Sequence, residues 1–555
     1  MITFWRAIQI ISLILFLLLL TLAVSSINTP TPLDLFLLFD PALITFTVIS
    51  ARILVAAFIP ALVVLLITLF FGRIFCGYIC PMGTTLDGGD KLFGPPRKKQ
   101  SEPVKLRLLK YIILIFLLGA SLLGISFVFV VAPISLITRF YGLLVHPVLA
   151  FLTNEILILI QPLAEWFNMN NIIFLRITTP RFATQLFVIT FFGVLFILTR
   201  VSPRFWCRNL CPSGALMALV SKKPLIRRGV SDDCTDCGKC SHSCPMAAIV
   251  TEEPRITLHE ECIVCRTCQN ICPVNAISFN SAKTEHKFEM QEFSFTRRQF
   301  IYSGLIGATA ATVNLTGLNS LHGKPGPGQV APQGLIRPPG ALPEMDFLAQ
   351  CVRCGECMAA CPTNTLQPIW LDAGFMGLFS PSLTPRRGYC NPECRMCGDV
   401  CPTDAIRKLS QNERIWAKTG TAVIFRQKCL AWEHQKSCMV CDEVCPYKAV
   451  EFRKEPGNRV PVPLVHEEKC SGCGYCEHFC PVQNQAAIVV TPMGALRMSE
   501  GSYIIQGKSQ GLNLLIKPKS KYGPQLKGKD WGKGFAPGFE DDKSSVFPPR
   551  FEEDS

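Results

Sequence analysis

The sequence predicts a membrane α-helical bundle of about four spans, extended by small α+β domains built around cysteines. Three observations carry that prediction. The long apolar runs are concentrated in the first 200 residues. All 28 cysteines fall into two recurring spacings. Lys and Arg collect in blocks between particular apolar runs.

Four runs approach the roughly 20 residues that cross a bilayer: Ala7–Ser25, Ile53–Phe71, Leu108–Val131 and Phe182–Thr199. The loop 72–107 holds Arg73, Lys91, Arg97, Lys98, Lys99, Lys105 and Arg107, and the positive-inside bias makes it cytoplasmic. Residues 26–50 carry no Lys or Arg, and 132–180 only Arg139 and Arg176, so both face the other side. Arg200, Arg204, Arg208, Lys222, Lys223, Arg227 and Arg228 return the chain to the cytoplasm. Two further apolar stretches are interrupted, 31–49 by Asp34, Asp40 and Pro41, and 142–163 by His146, Pro147 and Glu155. Either one counted as a span would reverse the parity between the basic loops, so both are read as interfacial or re-entrant. The net charge of +14 follows from the membrane-flanking Lys and Arg.

Six groups account for most cysteines: Cys234, Cys237, Cys240 and Cys244; Cys262, Cys265, Cys268 and Cys272; Cys351, Cys354, Cys357 and Cys361; Cys390, Cys394, Cys397 and Cys401; Cys429, Cys438, Cys441 and Cys445; Cys470, Cys473, Cys476 and Cys480. Four groups keep C-x2-C-x2-C-x3-C-P. Those starting at Cys390 and Cys429 stretch only the first gap. Three thiolates so close together wrap one cubane, and the fourth reaches the same cube or its neighbour. Zinc sites use pairs of C-x2-C or Cys/His mixtures, and disulfide scaffolds belong to short secreted chains. The spacing therefore predicts six [4Fe-4S] clusters in ferredoxin-like domains. In the first two groups, Cys272 is read as joining Cys234, Cys237 and Cys240, and Cys244 as joining Cys262, Cys265 and Cys268. Pairing among the last four groups is left open.

The remaining cysteines form two C-x3-C-P pairs, Cys76 with Cys80 and Cys207 with Cys211, at the cytoplasmic ends of spans two and four. Three readings stand: a seventh cluster shared by the four, a thiol/disulfide couple, or a structural turn.

The domain division follows: residues 1–200 a four-span membrane domain, 201–290 a cytoplasmic two-cluster unit, 291–320 an internal signal or anchor helix, 321–343 a Gly/Pro-rich linker, 344–500 a four-cluster unit, and 501–555 a polar tail. The internal helix opens with Ser294-Phe-Thr-Arg-Arg-Gln-Phe-Ile301 before a weakly apolar run, which resembles a twin-arginine export signal. Such signals carry folded cargo, as a domain loaded with clusters in the cytoplasm requires. Ala308-Thr-Ala310 is a candidate cleavage site within it.

Other chemistry is excluded or narrowed. No C-x-x-C-H occurs, so c-type haem is absent. His146 is the one histidine near the membrane runs, against the two that b-type haem uses. No phosphate-binding loop or dinucleotide fingerprint stands out, and nothing points to nucleic acid. A catalytic set is not legible. If a substrate is turned over it is a membrane quinol, with Asp34, Asp40, His146 and Glu155 as candidate proton acceptors.

Residues 1–290, with CGYICPMGTTLD, CRNLCPSGALMAL and two cluster groups, resemble the NapH-type membrane ferredoxins, the membrane component of a quinol dehydrogenase. Residues 294–500, with FTRRQFI and the widened CLAWEHQKSCMVCDEVCP, resemble NapG/MauM-type ferredoxins. The resemblance implies a fusion of the two. It implies electrons leaving quinol in the cytoplasmic membrane, with residues 201–290 inside and 320–555 in the periplasm, for a periplasmic oxidoreductase such as a nitrate reductase. Two other readings are carried with it: a redox-active assembly factor for a metalloenzyme, and an arrangement in which everything stays cytoplasmic.

Overall fold

A helix that is apolar on every face has to be covered by other apolar groups, and most of the described residues before 222 are helical. The computed structural model describes residues 4–24, 35–53, 58–92, 104–167, 179–222, 224–281, 296–315, 334–370 and 374–516. Asp34, Arg97, Lys98, Lys99, Arg176, Lys223, most of the linker and the tail beyond residue 516 lie outside the described residues.

The helices run α1 Phe4–Val24, α2 Pro41–Ala51, α3 Phe58–Phe71, α4 Pro81–Leu92, α5 Val104–Leu122, α6 Pro133–Arg139, α7 His146–Trp166, α8 Gln185–Thr199, α9 Pro212–Val220 and α10 Arg297–Leu315. Asp40 caps α2: its Oδ1 accepts from the Leu43 N–H at 3.2 Å, with Pro41 in the first turn. Among the described residues two stretches are long and apolar enough to cross a membrane by length and composition, Trp5–Ala23 and Pro133–Pro162. The second differs from the sequence expectation for 142–163. A π-helical turn, Phe140–Val145, joins α6 to α7 without a break, so His146 and Pro147 open a helix instead of interrupting one. Helix α8 is shorter than the apolar run that contains it.

Helix α10 packs along α5 in antiparallel register, Gly304 beside Gly119 and Gly307 beside Phe116. A Cβ at Gly307 would lie 2.2 Å from the Phe116 carbonyl oxygen, and one at Gly119 would lie 2.3 Å from that of Gly304. Backbones approach this closely only where side chains are missing. The twin arginines therefore lie toward the C-terminal end of α5.

Two units follow the helices. In the first, β1 Ile226–Val230 pairs antiparallel with β2 Ile277–Ser281, bracketing two cysteine groups. In the second, β3 Leu366–Pro368 pairs with β4 Pro381–Leu383, β5 Thr421–Ile424 with β8 Ile488–Thr491, and β6 Val450–Arg453 with β7 Val462–Val465. The β5–β8 pair brackets the last two groups as β1–β2 brackets the first two.

Two boundaries differ from the sequence reading. Residues 334–343 are folded: Leu335, Ile336, Ala341 and Leu342 are buried, with bridges from Ile336 to Leu383 and from Ala341 to Ile406. Their Gly/Pro content hid an apolar pattern that docks. Past residue 501 a helix, α11 Tyr503–Ser509, buries Tyr503 beside Leu409, Ala417 and Leu496.

The described residues fall into two units, one compact unit of those up to 148 and from 180 to 516, and a second whose described part lies within 149–179. The described part of the latter is a helix with Leu152, Ile156 and Leu159 exposed. Within the former, the N-terminal half of α5 meets the two-group unit, Arg107 donating to the Ala247 carbonyl at 2.8 Å. The chain just past α5 meets the four-group unit, with Phe127 and Phe375 rings 5.8 Å apart. A 19-residue helix spans ~28 Å, about the thickness of a bilayer's hydrocarbon core.

Candidate cluster-binding centres

The cysteine loops are shaped by left-handed residues at fixed places. In the four unstretched groups both residues flanking the second cysteine have positive φ: Asp236 and Gly238, Val264 and Arg266, Arg353 and Gly355, Gly472 and Gly474. Alternating hands of backbone turn successive N–H groups inward, making the concavity that anionic iron–sulfur cores occupy. The stretched groups lack this pair: Arg395 and Met439 have φ of −126° and −119°. In five of the six groups a further left-handed residue, Ala247, Asn275, Asn364, Asp404 or Lys448, stands three positions after the last cysteine, and in the sixth Asn484 stands four after Cys480. At Ala247 and Lys448 the turn aims an N–H back at the sulfur: Ala248 to Cys244 at 3.3 Å, Ala449 to Cys445 at 3.3 Å.

Among the described residues five cavities are each lined by four cysteines, three from one group and the fourth from its neighbour. They are Cys262, Cys265, Cys268 with Cys244; Cys351, Cys354, Cys357 with Cys401; Cys390, Cys394, Cys397 with Cys361; Cys470, Cys473, Cys476 with Cys445; and Cys429, Cys438, Cys441 with Cys480. The pairing that spacing left open among the last four groups is thus visible in the geometry. Of the remaining cysteines, Cys240 is buried in a cluster with Cys268, Ile249 and Ile277, against which Cys244 and Cys272 pack, and Cys237 is exposed.

The donor set fits the group that the spacing implies. Each cavity offers four thiols and otherwise almost wholly apolar walls, without a histidine or carboxylate in the lining. Among the described residues no three His, Cys, Asp or Glu side chains close on one point as a single ion requires. Burial pushes the Cys262, Cys268, Cys401 and Cys441 thiols up to about 12, so binding iron as thiolates releases protons.

The C-x3-C-P cysteines come together as well. Cys80 and Cys211 are buried, and Cys211 accepts from the Gly214 N–H at 3.2 Å. Cys76 and Cys207 pack with Met246, Ala248 and Ile263 in one cluster with Cys244, Cys262 and Cys265. Cys76 and Cys207 thus adjoin the Cys262 cavity. Arg204 sits beside them, bound to Asp87 at 2.5 and 2.6 Å and to the Cys76 carbonyl at 3.2 Å.

The attachments of both units were not legible in sequence. Glu261, next to Cys262, receives Arg73 at 2.9 Å and Lys110 at 2.5 Å with all three buried. Burial works to raise its carboxyl, but Lys110 and Arg73 hold it below the usual range. On the other unit Arg353 donates to the Cys351 and Met376 carbonyls at 2.7 and 2.6 Å and lies over the Phe129 ring. Arg139 donates to the Phe129 carbonyl and lies over Phe379. Ser135 and Ser50 donate to the carbonyls of Val352 and Ala349 at 2.8 and 3.0 Å. Of the candidate proton acceptors, Asp40 is fully buried with Ser213 donating to it, His146 is partly buried and Glu155 is exposed.

Comparison with known proteins agrees with this chemistry. A family described as a 4Fe-4S binding domain matches residues 53–100 and 184–231, the segments that hold the C-x3-C-P pairs. Dicluster 4Fe-4S domains match 227–273 and 436–484, and a further 4Fe-4S binding domain matches 348–367. The methylamine utilization ferredoxin-type protein MauM of Methylorubrum extorquens is 42% identical over 167 residues, 28% of this chain and 72% of that protein. MauM of Paracoccus denitrificans is 43% identical, covering 28% and 71%. The ferredoxin-type protein NapG of Escherichia coli is 34% identical over 192 residues, 32% of this chain and 79% of that protein.

Proposed function

The chain belongs to the MauM/NapG family of ferredoxin-type proteins, and from that premise we propose that it carries electrons from quinol in the cytoplasmic membrane to a periplasmic oxidoreductase such as a nitrate reductase. The first half acts as a NapH-like membrane component fused to the ferredoxin. Five cavities and the Cys234, Cys237, Cys240 and Cys272 set hold six [4Fe-4S] clusters, and Cys76, Cys80, Cys207 and Cys211 hold a seventh. When bound, each cluster supplies one-electron redox chemistry at a potential set by burial and hydrogen bonds to sulfur. The chain's own residues provide thiolates, N–H donors to sulfur and walls that exclude water.

The observation that carries this reading is the attachment of the two cysteine-bearing units toward opposite ends of α5. It supports placing residues 201–290 in the cytoplasm and 320–555 in the periplasm. The antiparallel run of α10 pulls the other way, and proteolysis in spheroplasts decides: cleavage of the C-terminal tail supports the assignment and protection overturns it. The function is tested on the purified protein with a soluble quinol, followed by electron paramagnetic resonance. Quinol gives two electrons and two protons, so each molecule should reduce two clusters. Clusters that stay oxidised with quinol yet reduce with dithionite would instead favour the assembly factor.

A further inference from the structure

We propose that the four cysteine quartets between residues 351 and 480 form an ordered row, with electrons arriving at the Cys351 quartet and leaving from the Cys429 quartet. The order in space then differs from the order along the chain, because the fifth group of the sequence is reached last. The proposal rests on the quinol reading above for its direction and on geometry alone for its order.

The first position is fixed by contact with the helices. Val352, between two ligands of the Cys351 quartet, accepts from Ser135 at 2.8 Å, and Arg353 lies 4.1 Å from the Phe129 ring. A Cβ at Gly355, which follows Cys354, would meet Leu143 and Arg139 at 3.3 and 3.5 Å. Two buried guanidiniums, Arg139 and Arg353, flank this quartet, and neither forms an ion pair among the described residues. Positive charge there favours an electron on the adjacent site.

The second position follows from ligand exchange, since Cys401 lines the first cavity and Cys361 that of Cys390, Cys394 and Cys397. The third is joined to the second directly. The Cys390 N–H donates to the Cys473 carbonyl at 2.8 Å, and the Tyr389 and Tyr475 rings are 4.0 Å apart. The fourth shares the β5–β8 bracket with the third and exchanges Cys445 for Cys480. Its walls come from residues 424–488, and Phe425 and Met439 beside its cysteines are exposed. An outside partner therefore has its closest approach at this end of the row.

The experiment removes one quartet at a time from the full-length protein. With quinol as donor, Cys354→Ala should leave the other three clusters of this unit oxidised, although dithionite still reduces them and so proves them assembled. Cys438→Ala should lose its own signal while the other three reduce as in the wild type. Persistent reduction in the first variant, or its loss from all three in the second, overturns the order. A second arm is independent of the donor. In dithionite-reduced protein, Cys394→Ala should change the magnetic broadening of two remaining clusters and Cys438→Ala that of one; equal effects overturn the row. If wild-type protein ignores quinol, the proposed function fails while this second arm still judges the order.

Discussion

The two-group and four-group units meet the same helical domain by opposite means. The former is held by a carboxylate, Glu261, buried between Arg73 and Lys110. The latter is held by guanidiniums, Arg139 and Arg353, that rest on aromatic rings and main-chain carbonyls. Both place positive charge beside a cysteine quartet. They differ in what breaks them, because a buried ion triad loses far more when one member is removed than a cation resting on a ring.

The largest expected effect is therefore at Glu261. Glu261→Gln leaves two buried cations without their anion and should cost about 3–5 kcal/mol. It should be seen as faster hydrogen exchange in residues 226–281 with the four-group unit unchanged. Next is Glu344, which receives Arg337 at 2.6 Å and Arg497 at 2.7 Å and so ties the folded 334–343 segment to residue 497. Glu344→Gln should cost about 2–3 kcal/mol.

Burial works to raise the Glu344 carboxyl, but Arg337 and Arg497 hold it below the ordinary value. Its contribution is thus complete above the unfolded pKa of about 4.3 and is lost as pH falls through the lower folded value. Wild-type stability should fall more steeply than that of Glu344→Gln below about pH 4, as measured by acid unfolding.

A smaller effect tests the seam outside both units. Gly307→Leu forces α10 from α5 and should cost about 1–3 kcal/mol, read as increased exchange in residues 297–315. The smallest is Arg353→Met, which should loosen the four-group attachment by about 1–2 kcal/mol, with Arg353→Lys recovering part of it. An Arg353→Met loss as large as that of Glu261→Gln would erase the contrast between the units.

Much of the centre was legible because cysteine spacing is local. Three ligands of each quartet come from one group, announced by C-x2-C-x2-C in four groups and by C-x2-C-x3-C-P in the two whose first gap is stretched. The fourth ligand depends on which group is adjacent in space, so Cys361 and Cys401 gave no local sign of their exchange. Glu261, Arg139 and Arg353 were invisible for the same reason, since a charged residue's burial is decided by elements far along the chain. Composition misled at 334–343, where Leu335 and Ile336 are buried despite the surrounding Gly and Pro. It also gave no direction for α10, whose run beside α5 depends on where Gly119 meets Gly304.

Stitching each cavity from two groups has a consequence for how such a chain lengthens. A single group copied alone would bring three sulfurs to its own pocket and one stray thiol to none. Loss of Cys401 likewise empties its neighbour's pocket and spares its own group's. The heritable module is therefore the couple, and chains of this kind should gain or lose their metal centres by twos.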